Sequence, residues 1–86
     1  MLLFVNDTVV PEHRLIDIIF RENVIVVNYE GGDLLEVAGT FQKKIETVRV
    51  VCDNPDDANK IKRQFYKACA VNQGVFYFGN GNYGNN

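Results

Sequence analysis

Apolar and polar positions along this 86-residue chain follow two periods: the period switches near residue 53 and switches back for a short stretch after Gly74. Before residue 53 the alternation is mostly two-residue, the mark of strands. Leu2 to Val5 reads as a short strand. Asn6-Asp7-Thr8 reads as a turn, Val9-Val10 as a resumed strand, and Pro11-Glu12-His13 as a loop. Between Arg14 and Phe20, alternation places Ile16, Ile18 and Phe20 on one face and Leu15, Asp17 and Ile19 on the other. Arg21-Glu22-Asn23 fits a three-residue hairpin loop, with Asn23 as the residue that tolerates a left-handed backbone. Val24 to Tyr29 follows, rich in β-branched residues. Glu30-Gly31-Gly32-Asp33 is expected to be the next hairpin turn, with Leu34 to Ala38 pairing back and Gly39 marking a bulge or bend. In the strand Lys44 to Cys52, residues Lys44, Glu46, Val48, Val50 and Cys52 share one face. Ile45, Thr47, Arg49 and Val51 share the other.

The helical period begins at Asn54-Pro55-Asp56-Asp57. Asn54 suits the N-cap, Pro55 the first helical position, and the aspartates the positive end of the helix dipole. Ala58, Ile61, Phe65, Ala68 and Cys69 recur on one stripe facing the core. The helix is expected to end near Val71-Asn72, with Gly74 as its stop. Val75 to Phe78 forms a last aromatic strand, with Phe76 and Phe78 on one side and Tyr77 on the other.

These elements define an α+β fold: an antiparallel β-meander of four to five strands, one C-terminal amphipathic helix packed on one face, and a short final strand. One domain spans residues 1–79, and 80–86 is a Gly/Asn-rich tail expected to be flexible.

The pattern contains a mismatch. Val24, Ile25, Val26 and Val27 are apolar on both faces of their strand, and one helix covers only one face of a sheet. The N-terminal strand, sheet curvature that closes a partial barrel, or another chain must cover the second face; curvature is the first expected cover, and a second copy of the chain is the next. The outer side of the helix is the second surface of interest. Lys60, Arg63 and Lys67 lie together there, flanked by Lys62 and Tyr66.

Charge adds to this picture. The net charge is only −2, but residues 1–36 carry two cations and seven carboxylates, while residues 37–86 carry seven cations and four carboxylates. A chain so divided favours self-association or a charged partner. The net charge is far from the strongly basic balance usual in nucleic-acid-binding domains.

Candidate chemistry is sparse. Serine is absent, so no serine nucleophile exists. His13 is the sole histidine, and nothing in the spacing of Cys52 and Cys69 pairs either with it or makes a zinc site. Asp53, Asp56 and Asp57 belong to the helix start rather than to a cation loop. Gly31-Gly32 and Gly79-Asn80-Gly81 lack the context of a phosphate loop. No catalytic, cofactor or metal residues are therefore assigned. Apolar runs are too short for a membrane span, and Met1 to Val5 meets Asn6-Asp7 without the form of a leader, so a cytoplasmic protein with reduced thiols is expected.

The functional expectation is a small non-enzymatic interaction or regulatory module, with a homodimer as one form. It would bind a protein partner or itself through Val24 and Val26 on the sheet, or through Lys60, Arg63, Tyr66 and Lys67 on the helix. The alternative is a nucleic-acid-binding accessory protein that uses the basic helix face.

Overall fold

A computed structural model describes residues 1–37 and 39–79, with backbone alone at 33–37 and 40–43. The tail expected at 80–86 lies outside these residues, as does Ala38. The fold is α+β, and the described residues form six strands and one α-helix: β1 (Leu2–Val5), β2 (Thr8–Pro11), β3 (Leu15–Arg21), β4 (Val24–Val37), β5 (Thr40–Val51), α1 (Pro55–Ala70) and β6 (Val75–Phe78). A single 3-10 turn, Glu12–Arg14, joins β2 to β3. Among the described residues no helix is long and apolar enough to cross a membrane.

The strands form two three-stranded sheets. The first has the order β2-β1-β6, with β1 antiparallel to β2 and parallel to β6. The second is the meander β3-β4-β5, antiparallel throughout. The meander is thus confined to the middle of the chain. The final strand returns through the α1 crossover to pair with the first, a non-local pairing that local turn chemistry does not specify.

Both sheets turn one face to a shared core. Leu3, Val5 and Val10 reach it from the N-terminal hairpin, Phe76 and Phe78 from β6, and Ile25, Val27 and Val50 from the meander. Helix α1 adds Ala58, Ile61 and Ala68. The two alanines bring the helix backbone close, and Phe65 then packs edge-on or tilted against Phe76 and Phe78, with centroids 5.3 and 5.1 Å away. Burial of each Leu, Ile, Val or Phe here contributes about 1.5–3 kcal/mol. Cys69, placed on the core stripe by its spacing, lies at the stripe's edge and is exposed, whereas Cys52 is buried.

The helix ends follow their sequence signals closely. The Asn54 side chain accepts the backbone N–H of Asp57 at 2.9 Å, and Pro55 opens the helix. At the other end, Asn72 rather than Gly74 takes the left-handed conformation, with φ of 54°. Gln73 N–H donates to the Ala68 carbonyl at 2.9 Å and Asn72 N–H to Cys69 at 3.2 Å, the paired bonds of a Schellman termination. Gly74 serves instead as an acceptor, its carbonyl taking the Leu2 N–H at 2.8 Å.

Three local expectations are corrected. Glu30-Gly31-Gly32-Asp33 is not a hairpin turn: β4 runs straight through it, and Val37 pairs with Thr40. The glycines instead sit in an irregularity where the β4–β5 register shifts between Glu30 and Leu34. Gly39, with φ of +84°, lies in the true connection between the two strands. At the β3–β4 loop it is Glu22, with φ of 52°, and not Asn23 that is left-handed. A register shift between Leu15 and Asp17 also removes Ile16 from the face of Ile18 and Phe20. Leu15 packs against the core in its place, and Ile16 is left exposed.

Candidate functional site

Helix α1 and the β2-β1-β6 sheet cover one face of the meander, the face of Ile25, Val27, Val48 and Val50. The opposite face of β3-β4-β5 is built row by row from the register. Arg21, Val24 and Val51 make the first row, and Ile19, Val26 and Arg49 the second. Asp17, Asn28 and Thr47 make the third, and Glu30 and Ile45 the fourth. Ile19, Ile45 and Val51 are exposed, the last two by 65% and 61%, while Val24 and Val26 are half-buried by their neighbours. An open groove of about 270 Å³ runs between Ile19, Arg21, Glu22, Val24, Val26 and Arg49.

The third row is a polar ladder. Asn28 Nδ2 donates to Asp17 Oδ1 at 2.6 Å, and Thr47 Oγ1 donates to Asn28 Oδ1 at 2.6 Å. This chain of hydrogen bonds fixes Asp17 on the surface and separates the apolar rows from Glu30 and Ile45. Along the face Arg21 and Arg49 lie in the first two rows and Asp17 and Glu30 in the last two, while Glu22 brings a carboxylate to the Arg21 end of the groove.

The outer side of α1 carries the other residues singled out from the sequence. Lys60, Arg63 and Lys67 are exposed, and no carboxylate among the described residues forms an ion pair with them. Tyr66 departs from them. It leans toward β3, its ring edge-on to Phe20 at 6.3 Å, while the Lys62 ammonium sits 5.7 Å over the Phe20 ring. Lys62 is thereby engaged on the helix flank. Val24 and Val26 are brought together in the groove, but helix and groove lie on opposite sides of the meander, so the six residues do not form one site.

Sequence reasoning missed a third surface, the outer face of the N-terminal sheet. Leu2, Phe4, Val9, Pro11, Val75 and Tyr77 occupy it in register and include no charge. Phe4 and Tyr77 stack with centroids 4.7 Å apart, and Tyr77 is 55% exposed. The alternation of Leu2-Leu3-Phe4-Val5 and of Val75 to Phe78 held the signal, but only the parallel β1–β6 pairing joins the two stripes.

The two groups with clearly shifted titration, Cys52 and Tyr29, lie off these surfaces. Burial pushes the Cys52 thiol up, reinforced by the charges of Asp57 and Asp53. Burial likewise raises the Tyr29 phenol, which donates to Glu46 Oε2 at 3.0 Å and faces its charge. His13 is exposed on the 3-10 turn. Among the described residues, no group of three or more His, Cys, Asp or Glu stands ready to hold a metal ion. No family model matches this chain, and no curated protein or solved structure matches it either.

Proposed function

We propose that this chain is a small non-enzymatic interaction module that engages a protein partner through the outer face of the meander. One observation carries the reading: exposed Ile19 and half-buried Val24 and Val26 line one open groove with Arg21, Arg49 and Glu22, and exposed Val51 stands beside Val24 in register. Leaving these residues in water forgoes burial worth about 25 cal/mol per Å². The groove is at the small end of ligand cavities and open on one side, so it suits one or two anchoring side chains rather than an enclosed small molecule. The partner's chemistry follows from the lining: an apolar anchor next to a carboxylate that Arg21 or Arg49 can bind. Two free thiols, Cys52 and Cys69, favour the cytoplasm as the compartment.

Selection of displayed peptides on the immobilised protein tests this reading. Enriched peptides should pair an aliphatic or aromatic residue with Asp or Glu and lose binding to Val26→Asp. If no sequence is enriched, or if Val26→Asp retains the same peptides, the reading fails.

A second reading, nucleic-acid binding, is favoured by the exposed Lys60, Arg63 and Lys67. It requires mixed oligonucleotides to bind at low salt and to be released steeply as salt rises. Lys60→Glu/Arg63→Glu/Lys67→Glu should abolish that binding, and unchanged binding would remove the helix from consideration.

A further inference from the structure

We propose that the open edge of β5 pairs with the same edge of a second copy of this chain, antiparallel and centred on Ile45. The two three-stranded meanders then join into one sheet. This surface is a strand edge, and residues 43–47 do not line the groove, so the groove reading stands or falls separately.

Backbone direction along β5 follows from its register. The Cys52 N–H donates to the Asn23 carbonyl, so every second residue back from Cys52 turns its backbone groups to β4. Val51, Arg49, Thr47 and Ile45 turn theirs to the edge. Two contacts agree with this. The Arg49 carbonyl takes the Asn6 side chain at 3.0 Å, and Thr47 bonds Asn28 side chain to side chain, as close non-hydrogen-bonded pairs do. Past Arg49, no strand among the described residues pairs with the edge at Thr47 or Ile45. Both side chains are exposed, Ile45 by 65%.

The other edges are shorter or occupied. Strand β2 has four residues and ends in Pro11. On β3, with seven residues, Tyr66 and Lys62 of α1 pack against Phe20. On β6 the Gln73 side chain holds the Val75 carbonyl at 2.5 Å. Strand β5 has twelve residues, with no proline, and the extra residues of the β4–β5 irregularity lie on β4.

Charge selects both the partner and the register. Ladder bonds form only when edge-facing residues meet edge-facing residues, so the two-fold axis must pass between a residue and its own copy. An axis at Lys43 or Lys44 sets lysine on lysine, and an axis at Glu46 sets glutamate on glutamate. An axis at Thr47 calls on the Arg49 carbonyl, which Asn6 already holds. An axis at Ile45 places Lys44 opposite Glu46 of the second copy, twice. Lys44-Ile45-Glu46 is thus complementary to itself when reversed. These are non-hydrogen-bonded pairs, where Cα atoms approach to about 4.5 Å. Within one chain Lys44 Nζ lies 3.5 Å from Glu46 Oε1, so pairing keeps that contact and closes a ring of four alternating charges. Both side chains are partly exposed, so the ring fixes register more than strength. Strength comes from the ladder bonds and from Ile45 packing on its own copy. The contact is small, so association falls at about 10 to 500 µM.

Sedimentation of the intact chain over that range should show monomer passing to dimer. Lys44→Glu makes both charged positions acidic, and Glu46→Lys makes both basic. Each variant alone should dimerise at least about tenfold more weakly, and their equimolar mixture, which restores both Lys–Glu contacts, should recover wild-type association. Circular dichroism separates loss of pairing from loss of fold. A second measurement leaves the charges alone. In a Cys69→Ala background, whose one remaining native thiol is the buried Cys52, Ile45→Cys should form a disulfide-linked dimer on air oxidation. Directly paired residues bring their Cα atoms to about 5.5 Å, within reach of a disulfide. Thr47→Cys should not link, because its own copy lies four residues along the partner strand, more than about 13 Å away. A wild type that stays monomeric overturns the proposal. So do folded charge variants that dimerise as well as the wild type, a mixture that stays monomeric, or equal linking at positions 45 and 47. Should Glu46→Lys fail to fold, since Tyr29 loses its acceptor, the cysteine pair decides alone.

Discussion

The side-chain amide of Asn23 donates to the Cys52 carbonyl at 3.0 Å, while the Cys52 backbone N–H donates to the Asn23 carbonyl at 2.8 Å. The β3–β4 loop is thereby clamped to the residue that follows β5, 29 positions away in sequence. A similar tie joins the β1–β2 turn to the meander, where Asn6 Nδ2 donates to the Arg49 carbonyl at 3.0 Å. Asn23→Ala keeps the backbone bond and loses the side-chain bond, leaving a part-buried carbonyl unpaired. The expected loss is about 1 kcal/mol, seen as a lower urea midpoint with unchanged slope. An unaltered midpoint would mean that the amide bond adds nothing to the backbone bond beside it.

Glu22 carries the strain of that same loop. Its φ of 52° lies in the left-handed region, which costs an ordinary L-residue about 1–2 kcal/mol and costs Asn less. Glu22→Asn should therefore stabilise the protein by about 0.5–1 kcal/mol, with Glu22→Gly close to it, since glycine gives back part of the gain as chain entropy. Thermal unfolding of the two variants beside the wild type measures this. A lower melting temperature for Glu22→Asn would show that the carboxylate has a role outside the loop geometry.

These two residues show what the sequence could tell about the fold and what it could not. The helix was legible nearly to the residue, because Asn54, Pro55 and the Ala58-Ile61-Phe65-Ala68 stripe act within a few positions of one another. The β5 face pattern was legible for the same reason. Loop geometry was not: Asn23 has the better intrinsic tolerance of a left-handed backbone, but its side chain is committed to Cys52, and Glu22 takes the strained position. Gly31-Gly32 has the composition of a turn, yet the long β4–β5 pairing resumes beyond it with a shifted register. At the candidate site, Val24 and Val26 were marked by their two-sided apolar strand. Arg21, Arg49 and Ile19 gain meaning only from strand pairing, and the Phe4–Tyr77 stack only from the parallel closure of chain ends.

The two cysteines should differ sharply toward a thiol reagent. Cys69 is exposed at the helix edge, whereas Cys52 is only 2% exposed and its thiol is raised by burial, Asp57 and Asp53. Since the thiolate is the reacting form, one thiol should be modified quickly and the second only as the protein unfolds. Cys69→Ala should leave the slow phase alone, and Cys52→Ala the fast one. Two equal fast phases would show that the helix start opens readily.

Gly31 links the irregular stretch of β4 to a titration. A Cβ at this position would stand 3.3 Å from Glu46 Cδ and 3.3 Å from the Lys44 carbonyl, tighter than ordinary van der Waals contact. The Glu46 carboxylate accepts the Tyr29 hydroxyl at 3.0 Å and the Lys44 ammonium at 3.5 Å, so displacing it disturbs both. Tyr29 is raised above its ordinary value of 10.0 by burial first, then by its hydrogen bond to Glu46 and the charge there. A folded phenol that holds its proton longer than the unfolded one contributes stability fully present below pH 10.0 and lost as pH rises through the folded value. Gly31→Ala should move the Tyr29 titration back toward 10.0, read as the difference in ultraviolet absorbance between each protein and its Tyr29→Phe counterpart. It should also make the alkaline loss of stability shallower, while Gly31→Val, bulkier against the Lys44 carbonyl, should cost about 1–3 kcal/mol at neutral pH. If Gly31→Ala leaves the Tyr29 titration unmoved, Glu46 has absorbed the added methyl without leaving Tyr29, and the close packing at Gly31 does not govern that hydrogen bond.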